Sequence, residues 1–567
     1  MSRLVSALAM TLAMLLAGCH DPFHTDEITT PITQEQLRMI DTTNLEAQSL
    51  ATPITVEEAT EQALERGVQI PEPPSRVELT ISDVRADALR NNLDLHVELI
   101  NPSIAAESVN EEEAKFESVF FAGYRRAITD SPTALATEGS QTTFDSATAG
   151  FDVPLRTGGA VRIELPVTRT ETNNPFSLLD PAFTSDARFS ISQPLLRNGG
   201  FRVNSHSIRV AKYQERIVDA QTKLEAIRIL ANADRAYWLL YAARRELDVR
   251  LEQYELAKDQ LERARRKVDA GDVAGIEITR AESGVASTLE AIIIAYTQLK
   301  RRQRDLLRII NRDDLPLDAD MAVIPLTEPS PVGLELNRRE LALAAIANRM
   351  EMLELELLLA IDASTIDFEK NLALPLFTVD YTYSANGLGS SFGNSFDQLA
   401  DKNFEDWSVG LNVEIPIGNE AAEARVRRAL LTRLQRLATR EQREQAIASE
   451  VFDALDTLRQ NWQRIIAARH ETILAGRTYE AEQRQFDVGE RTSTDVLNAA
   501  TDLADAQSRE VSALAEYQIA QVDLAFATGT LLGSDRIDWQ PIGLEDEQST
   551  PQFELDARQL PRERFNE

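Results

Sequence analysis

Two periodicities alternate along this chain. In 405–417 the odd positions Trp407, Val409, Leu411, Val413 and Ile415 are apolar, while Ser408, Gly410, Asn412 and Glu414 point the other way. Phe377, Val379, Tyr381 and Tyr383 alternate in the same manner against Thr378, Asp380, Thr382 and Ser384. A period of two is what a strand presents, because successive side chains leave opposite faces of the pleat. With aromatics among the apolar positions, such strands suit the wall of a membrane barrel, apolar toward lipid and polar toward a wet lumen. A half-buried soluble sheet alternates in the same way, so single strands leave both open. In the first half the matching runs are about 119–128 and 186–194, with 147–155 and 160–168 between them. Arg156-Thr157-Gly158-Gly159 joins this extra pair by a short turn, whereas 170–185 reads as a long polar loop. Short turns on one side and long loops on the other are a barrel habit. Pro154 and Pro166 lack the amide hydrogen a central strand donates, so the hairpin at 147–168 either joins the wall or projects from it.

The helical runs are very long. From about Asn204 to Ala270 neither proline nor glycine intervenes, and Leu247, Leu251, Tyr254, Lys258, Leu261, Arg265 and Val268 follow a four-three spacing. The partner run, about Glu420 to Val488, carries Val451, Leu455, Leu458, Trp462 and Ile465. Each would be about 100 Å long at 1.5 Å per residue, and such sustained heptads predict coiled-coil packing against neighbours. The returning helices, roughly 276–310 and 494–528, are half that length. Shorter helices predicted at about 103–116 and 338–366 are placed to stack end to end with them. Another follows Thr80, where Ile81, Val84, Ala88 and Leu89 precede Asn91-Asn92, and a short one lies near 55–66.

The halves correspond. VDAGDVAGIEITRA (268–281) and FDVGERTSTDVLNA (486–499) read as two copies of one hairpin tip, and a shift of 218 pairs Gly271 with Gly489 and Asn311 with Gly529. A shift of 257 places Asn91, Leu95, Phe120 and Tyr124 on Asn348, Met352, Phe377 and Tyr381. Two tandem repeats follow from this. The expected boundaries are a signal peptide at 1–18, an extended lipid-anchored segment at 19–79 and a first repeat at 80–311, with strands about 119–194 and the hairpin 204–311. A linker at 312–337 precedes the second repeat at 338–530, with strands about 376–417 and the hairpin 420–528. Residues 531–567 form an equatorial or disordered tail.

Charge and cysteine usage narrow the class. A net charge of −32 argues against nucleic acid as a partner, since its binders present a basic face. The hydrophobic stretch Leu4–Leu16 is too short to span a bilayer and reads as a signal-peptide core. It ends in Leu16-Ala17-Gly18-Cys19, which resembles the lipobox of bacterial lipoproteins and implies cleavage before Cys19 and its acylation. His20, where aspartate would favour inner-membrane retention, leans toward the outer membrane. Cys19 is the only cysteine, so neither a disulfide nor a thiol pair for a metal exists. His20, His24, His96, His206 and His470 are scattered, without HExxH, Walker or G-x-S-x-G patterns. The expectation is no enzyme, no metal and no cofactor beyond the lipid on Cys19, with transport energy supplied by a partner.

ISQPLLRNGG (191–200), VEIPIGN (413–419), the AL-x-NN-x-DL start (88–95) and F-x-x-G-x-x-(S/T)-x-x-D-V-L-x-A (486–499), in this order and duplicated, resemble the TolC-like outer-membrane efflux protein family in its lipoprotein branch. The resemblance covers about 80–530. It implies a mixed α/β membrane protein, a homotrimer whose outer-membrane β-barrel continues into a long coiled-coil α-helical periplasmic barrel. It also implies a passive exit duct for small molecules, working with a periplasmic adaptor and an inner-membrane pump. Four strands per protomer are usual there, and the hairpin at 147–168 would make six. A type I protein-secretion outlet is a close alternative; a coiled-coil adaptor or scaffold lipoprotein would not need the alternation from Trp407 to Ile415.

By the same resemblance, Gly271, Val488, Gly489, Glu490, Thr492 and Ser493 are the adaptor-binding tips. Asp495 and Asn498 sit where two aspartates ring the family's closed periplasmic entrance. Arg491 aligns with a latching arginine whose expected partner is Glu277, and Phe486 replaces a latching tyrosine. The excess of acid predicts a cation-preferring lumen, and Leu455 a buried heptad position beside an exposed Arg443.

Overall fold

The computed structural model describes residues 55–56, 58–59, 75–133, 139–318 and 321–534. The chain divides into two units, Met1–Glu72 and Pro73–Glu567. In the first, Val56, Glu58 and Ala59 are helical, and Glu58 N donates to Thr55 Oγ1 at 3.3 Å. This opens the helix expected near 55–66; its remainder, the signal segment, Cys19 and residues 535–567 lie outside the described residues.

The second unit begins with β1 (Ser75–Leu79), which pairs in parallel with β6 (Met321–Pro325) inside the expected linker. This pairing was not legible in the periodicity. Tyr237, fully buried, accepts from Thr327 N at 2.7 Å beside the pair and so pins the linker to a long helix.

One antiparallel sheet holds the other six strands. β2 (Val119–Asp130), β3 (Gln141–Pro154), β4 (Ala160–Thr172), β5 (Ala182–Pro194), β7 (Leu376–Gly389) and β8 (Glu405–Glu414) lie in chain order from edge to edge. The additional hairpin is therefore part of the sheet, between β2 and β5. Pro166 faces Thr148 on β3, while the β4–β5 ladder skips from Glu164↔Arg188 to Val167↔Ser185. The missing amide hydrogen interrupts one ladder without ending the strand. β4 and β5 also run further than the alternation suggested, leaving a shorter loop than 170–185.

The register sorts side chains by face. Phe120, Phe151, Ile163, Phe189, Tyr383 and Trp407 form one row across all six strands. Val153, Val161, Ile191, Tyr381 and Val409 form the next row on that face. The opposite face carries Asp152, Arg162, Ser190, Thr382 and Ser408 in one row and Glu164, Arg188, Ser384 and Asp406 in another. β2 and β8 keep open edges.

Among the described residues the helices of six residues or more begin with α1 (Ile81–Asn91), α2 (Leu93–Glu98), α3 (Asn101–Ala114), α4 (His206–Ala270), α5 (Ile276–Ile310), α6 (Arg338–Asn348) and α7 (Met350–Leu372). Then come α8 (Phe392–Ala400), α9 (Glu420–Asp487) and α10 (Ser493–Ala527). α4 and α9 contain 65 and 68 residues, and each packs against its returning helix, α5 or α10, while α10 also packs on α4. The run expected as one helix at 338–366 is broken at Arg349, whose ψ is 135°. Buried Arg349 binds Glu351 at 2.5 Å and also Glu450, an arrangement a continuous helix would not allow. Asn92, 257 residues earlier, makes the same extended break between α1 and α2, with ψ 124°. Asn311 Nδ2 donates to Asn91 O at 3.1 Å, and Gly529 backs onto Asn348 in the corresponding place.

Burial corrects the first heptad. On α4 the seam against α10 is Gln253, Ala257, Gln260 and Ala264, all buried, whereas Leu251 and Lys258 are exposed. Gln253 Nε2 donates to Thr501 Oγ1 at 3.2 Å and Gln260 Nε2 to Ser493 Oγ at 3.3 Å, so small and amide side chains fill this seam. On α9 the expected Val451, Leu455, Leu458 and Ile465 are buried, with Tyr517, Ala513 and Ala520 of α10 packed beside Leu455 and Leu458. Arg443, expected exposed, is part-buried and salt-bridged to Glu351 at 2.9 Å.

Candidate functional site

Both hairpins turn on a left-handed glycine. Gly271 has φ 79° and Gly489 φ 83°, and an added Cβ would meet nothing at either, so the backbone angle and not space calls for glycine. Asp272 N donates to Lys267 O and Glu490 N to Gln485 O, each at 2.9 Å, closing the two helix ends alike.

Beyond the second turn, Thr492 caps α10. Asp495 Oδ2 accepts from Thr492 N at 2.9 Å and from Thr492 Oγ1 at 2.8 Å, a capping box. These bonds, the backbone one foremost, hold the Asp495 carboxyl below its usual range. Asn498, one turn on, is exposed.

Glu277 is buried and its Oε2 accepts from Ser493 N at 2.7 Å, while Arg280 binds its Oε1 at 2.6 Å. The expected Arg491–Glu277 pair does not form within the chain. Arg491 instead reaches Gln485 Oε1 at 2.9 Å and Glu482 at 3.2 Å, on its own hairpin. The reason is local: the first-turn N–H groups of α10 lack helical acceptors and favour an anion, and Glu277 supplies it. Ser493 is fully buried and is not a tip surface, a second correction; Val488 at 72% exposure, Gly271, Gly489 and Glu490 are the open ones.

Sequence reasoning missed Lys267. Its Nζ donates to Phe486 O and to Asp487 O, each at 2.8 Å, and lies 5.0 Å from the ring centroid of buried Phe486. The carbonyls belong to the last turn of α9, where a cation complements the helix dipole. A lysine before a glycine turn is legible as a helix-end cation; that it serves the other hairpin is not. The first tip thus gives a cation to the end of α9 and a carboxylate to the start of α10.

At the far end of the molecule, the polar face of the sheet carries Asp152, Glu164, Asp186, Asp380, Asp406 and Glu414 against Arg125, Arg162 and Arg188. Arg162 grips Asp152 with Nε and Nη2 at 2.6 and 2.8 Å, and Arg188 binds Glu164 at 2.8 Å. Phe121 shares this face and is covered by the Arg162 guanidinium, 5.3 Å from its centroid. Among the described residues no helix is long and apolar enough to cross a membrane.

Residues 341–530 match the family described as outer membrane efflux protein. Outer membrane protein TolC of Vibrio cholerae serotype O1 is 22% identical over 342 residues, 59% of this chain and 74% of that protein. Outer membrane efflux protein BepC of Brucella suis is 25% identical over 329 residues, covering 57% of this chain and 66% of its own. Among solved structures, CusC superposes with a TM-score of 0.59 at 15% identity over 82% of this chain and 95% of its own. The Campylobacter jejuni CmeC outer membrane channel gives a TM-score of 0.56 at 17% identity, covering 80% and 86%.

Proposed function

With this chain standing among the TolC-like outer-membrane efflux proteins, we propose that three copies form the passive exit duct of a tripartite efflux system. Each copy lends six strands to one barrel of eighteen and two tandem hairpins to one periplasmic tunnel. The observation that carries this reading is the sheet itself, apolar in continuous rows on one face, charged on the other and open at β2 and β8. Open edges do not persist in a bilayer, where unmet backbone groups cost several kcal/mol each, so the edges must meet other copies. The charged face then lines the lumen, and its excess of carboxylates favours cations.

Acylated Cys19 tethers the mature chain to the outer membrane. The tips, through Gly271, Val488, Gly489 and Glu490, meet a periplasmic adaptor, which joins the duct to an inner-membrane pump moving small molecules. Asp495 and Asn498 ring the entrance, and the ties from Lys267 and Glu277 keep it narrow. Purification from outer membrane followed by mass determination and planar-bilayer recording tests the proposal. The expected outcome is a trimer conducting with cation preference. A monomer without conductance would overturn the duct, and a clear anion preference would remove the carboxylates from the conducting path.

A further inference from the structure

The connection between β7 and β8 folds into α8 (Phe392–Ala400), capped by Ser391, which accepts from Asn394 N at 3.3 Å. This helix lies on β5 and β7. The pleat decides which face it covers. Ser185 Oγ meets Ser395 Oγ at 2.8 Å. A Cβ on Gly387 would come within 2.0 Å of Ser395 O, and one on Gly389 within 2.6 Å of Ser395 N. Ser185 and Gly387 are register partners on the face that carries Phe189 and Tyr383. α8 therefore rests on the apolar face, and the two glycines let its backbone touch the sheet.

Its apolar side is wider than the strip it covers. Ser395 and Leu399 turn inward and are buried, while Phe392 and Phe396, with rings 5.7 Å apart, remain 50% and 45% exposed. Asn394 and Asp397 occupy the other side. The level of α8 follows from the strand. From Phe377 to Ala385, eight steps of about 3.4 Å tilted by about 40° rise about 21 Å, close to the apolar band of about 25 Å that a barrel shows to lipid. A second mark agrees: on the same face, the row through Gly389 leads across Phe183 to Arg169, Asp145 and Arg126, where apolar gives way to charged.

We infer that α8 is an interfacial helix, seated at the outer rim of the barrel with Phe392 and Phe396 among the acyl chains of the outer leaflet. The inference rests on the barrel reading above. Lipid, and not a neighbouring copy, is the occupant because α8 covers β5 and β7 while copies meet at the edges β2 and β8, and because its aromatic side continues the lipid-facing rows. An amphipathic helix of this kind fits an interface by burying only its apolar face.

Tryptophan quenching separates the two readings. The full chain, with Trp238, Trp462 and Trp539 changed to Phe so that Trp407 is its one indole, is reconstituted in phosphatidylcholine vesicles brominated near the headgroup, and Trp407 reports on the barrel. With Trp407 also changed to Phe, Phe396→Trp should restore emission that brominated lipid removes in large part. Asp397→Trp should add emission that aqueous acrylamide removes and brominated lipid does not. If Phe396→Trp escapes brominated lipid while Trp407 in the chain that keeps it alone is quenched, the α8 inference falls and the barrel stands. If Trp407 also escapes, both fall. Should Phe396→Trp fail to insert, Phe392→Trp on the same stripe gives the same reading.

Discussion

Lys267 and Glu277 lie on one hairpin and act on the ends of two helices of the other. A charge-assisted hydrogen bond contributes about 1.5–3 kcal/mol, and the ammonium makes two. Lys267→Met and Glu277→Gln should each loosen the second tip and raise single-channel conductance. Arg491→Ala should leave conductance nearly unchanged, because its partners Glu482 and Gln485 sit on its own hairpin. Equal effects of all three would refute the division of labour. Asp495→Ala removes half of a capping box as well as a charge, at a cost of about 1 kcal/mol of helix stability. Divalent block and thermal melting should therefore both respond, and Asp495→Asn should separate them by losing block with a smaller loss of stability. The tips were legible as turns and as charged neighbourhoods, since glycine and capping patterns are local. The pairing was not: Glu277 and Ser493 are 216 positions apart, and no local pattern says which helix end a carboxylate will serve.

At the scale of elements, burial distinguishes the heptad stripes. Leu455 is wholly buried between α9 and α10, so Leu455→Glu places a carboxylate where it has no partner and should cost several kcal/mol. Arg477→Glu, at an exposed position of the same helix, should stay within about 0.5 kcal/mol. Melting temperatures that match in the two variants would contradict the packing. The kink at Arg349 makes a pH prediction. Burial alone would raise the Glu351 carboxyl, but Arg349, the Glu351 backbone and Arg443 outweigh it and leave the pKa at about 2. A depressed carboxyl stabilises the fold fully above its ordinary range and loses that contribution as pH falls toward 2, here up to about 3 kcal/mol. Glu351→Gln should flatten the acid limb of a melting-temperature profile between pH 5 and about 2. The long helices and alternating strands were readable because their periods repeat for many residues. The break at Arg349 was hidden inside a good helical pattern, where a buried ion network overrides local propensity, and β1 and β6 were too short to show a period.

For the whole molecule, the proposed duct would have two independent attachments, a lipid on Cys19 and the barrel. Cys19→Ser should leave the chain in the outer-membrane fraction, extractable only by detergent, because the strand rows hold it there; release by salt or carbonate would mean that the lipid was the sole anchor. The sheet also has a history in time. β5 ends at Pro194 and its partner β7 begins at Leu376, with the whole first hairpin, the linker and two further helices made in between. At about 5–20 residues per second, roughly 180 residues take about 10–40 s. Throughout that interval four finished strands would expose an apolar face and an unmet edge, the two features that drive intermolecular strand pairing. Shielding of that apolar face and of the β5 edge until β7 has been made is therefore a consequence of this strand order itself.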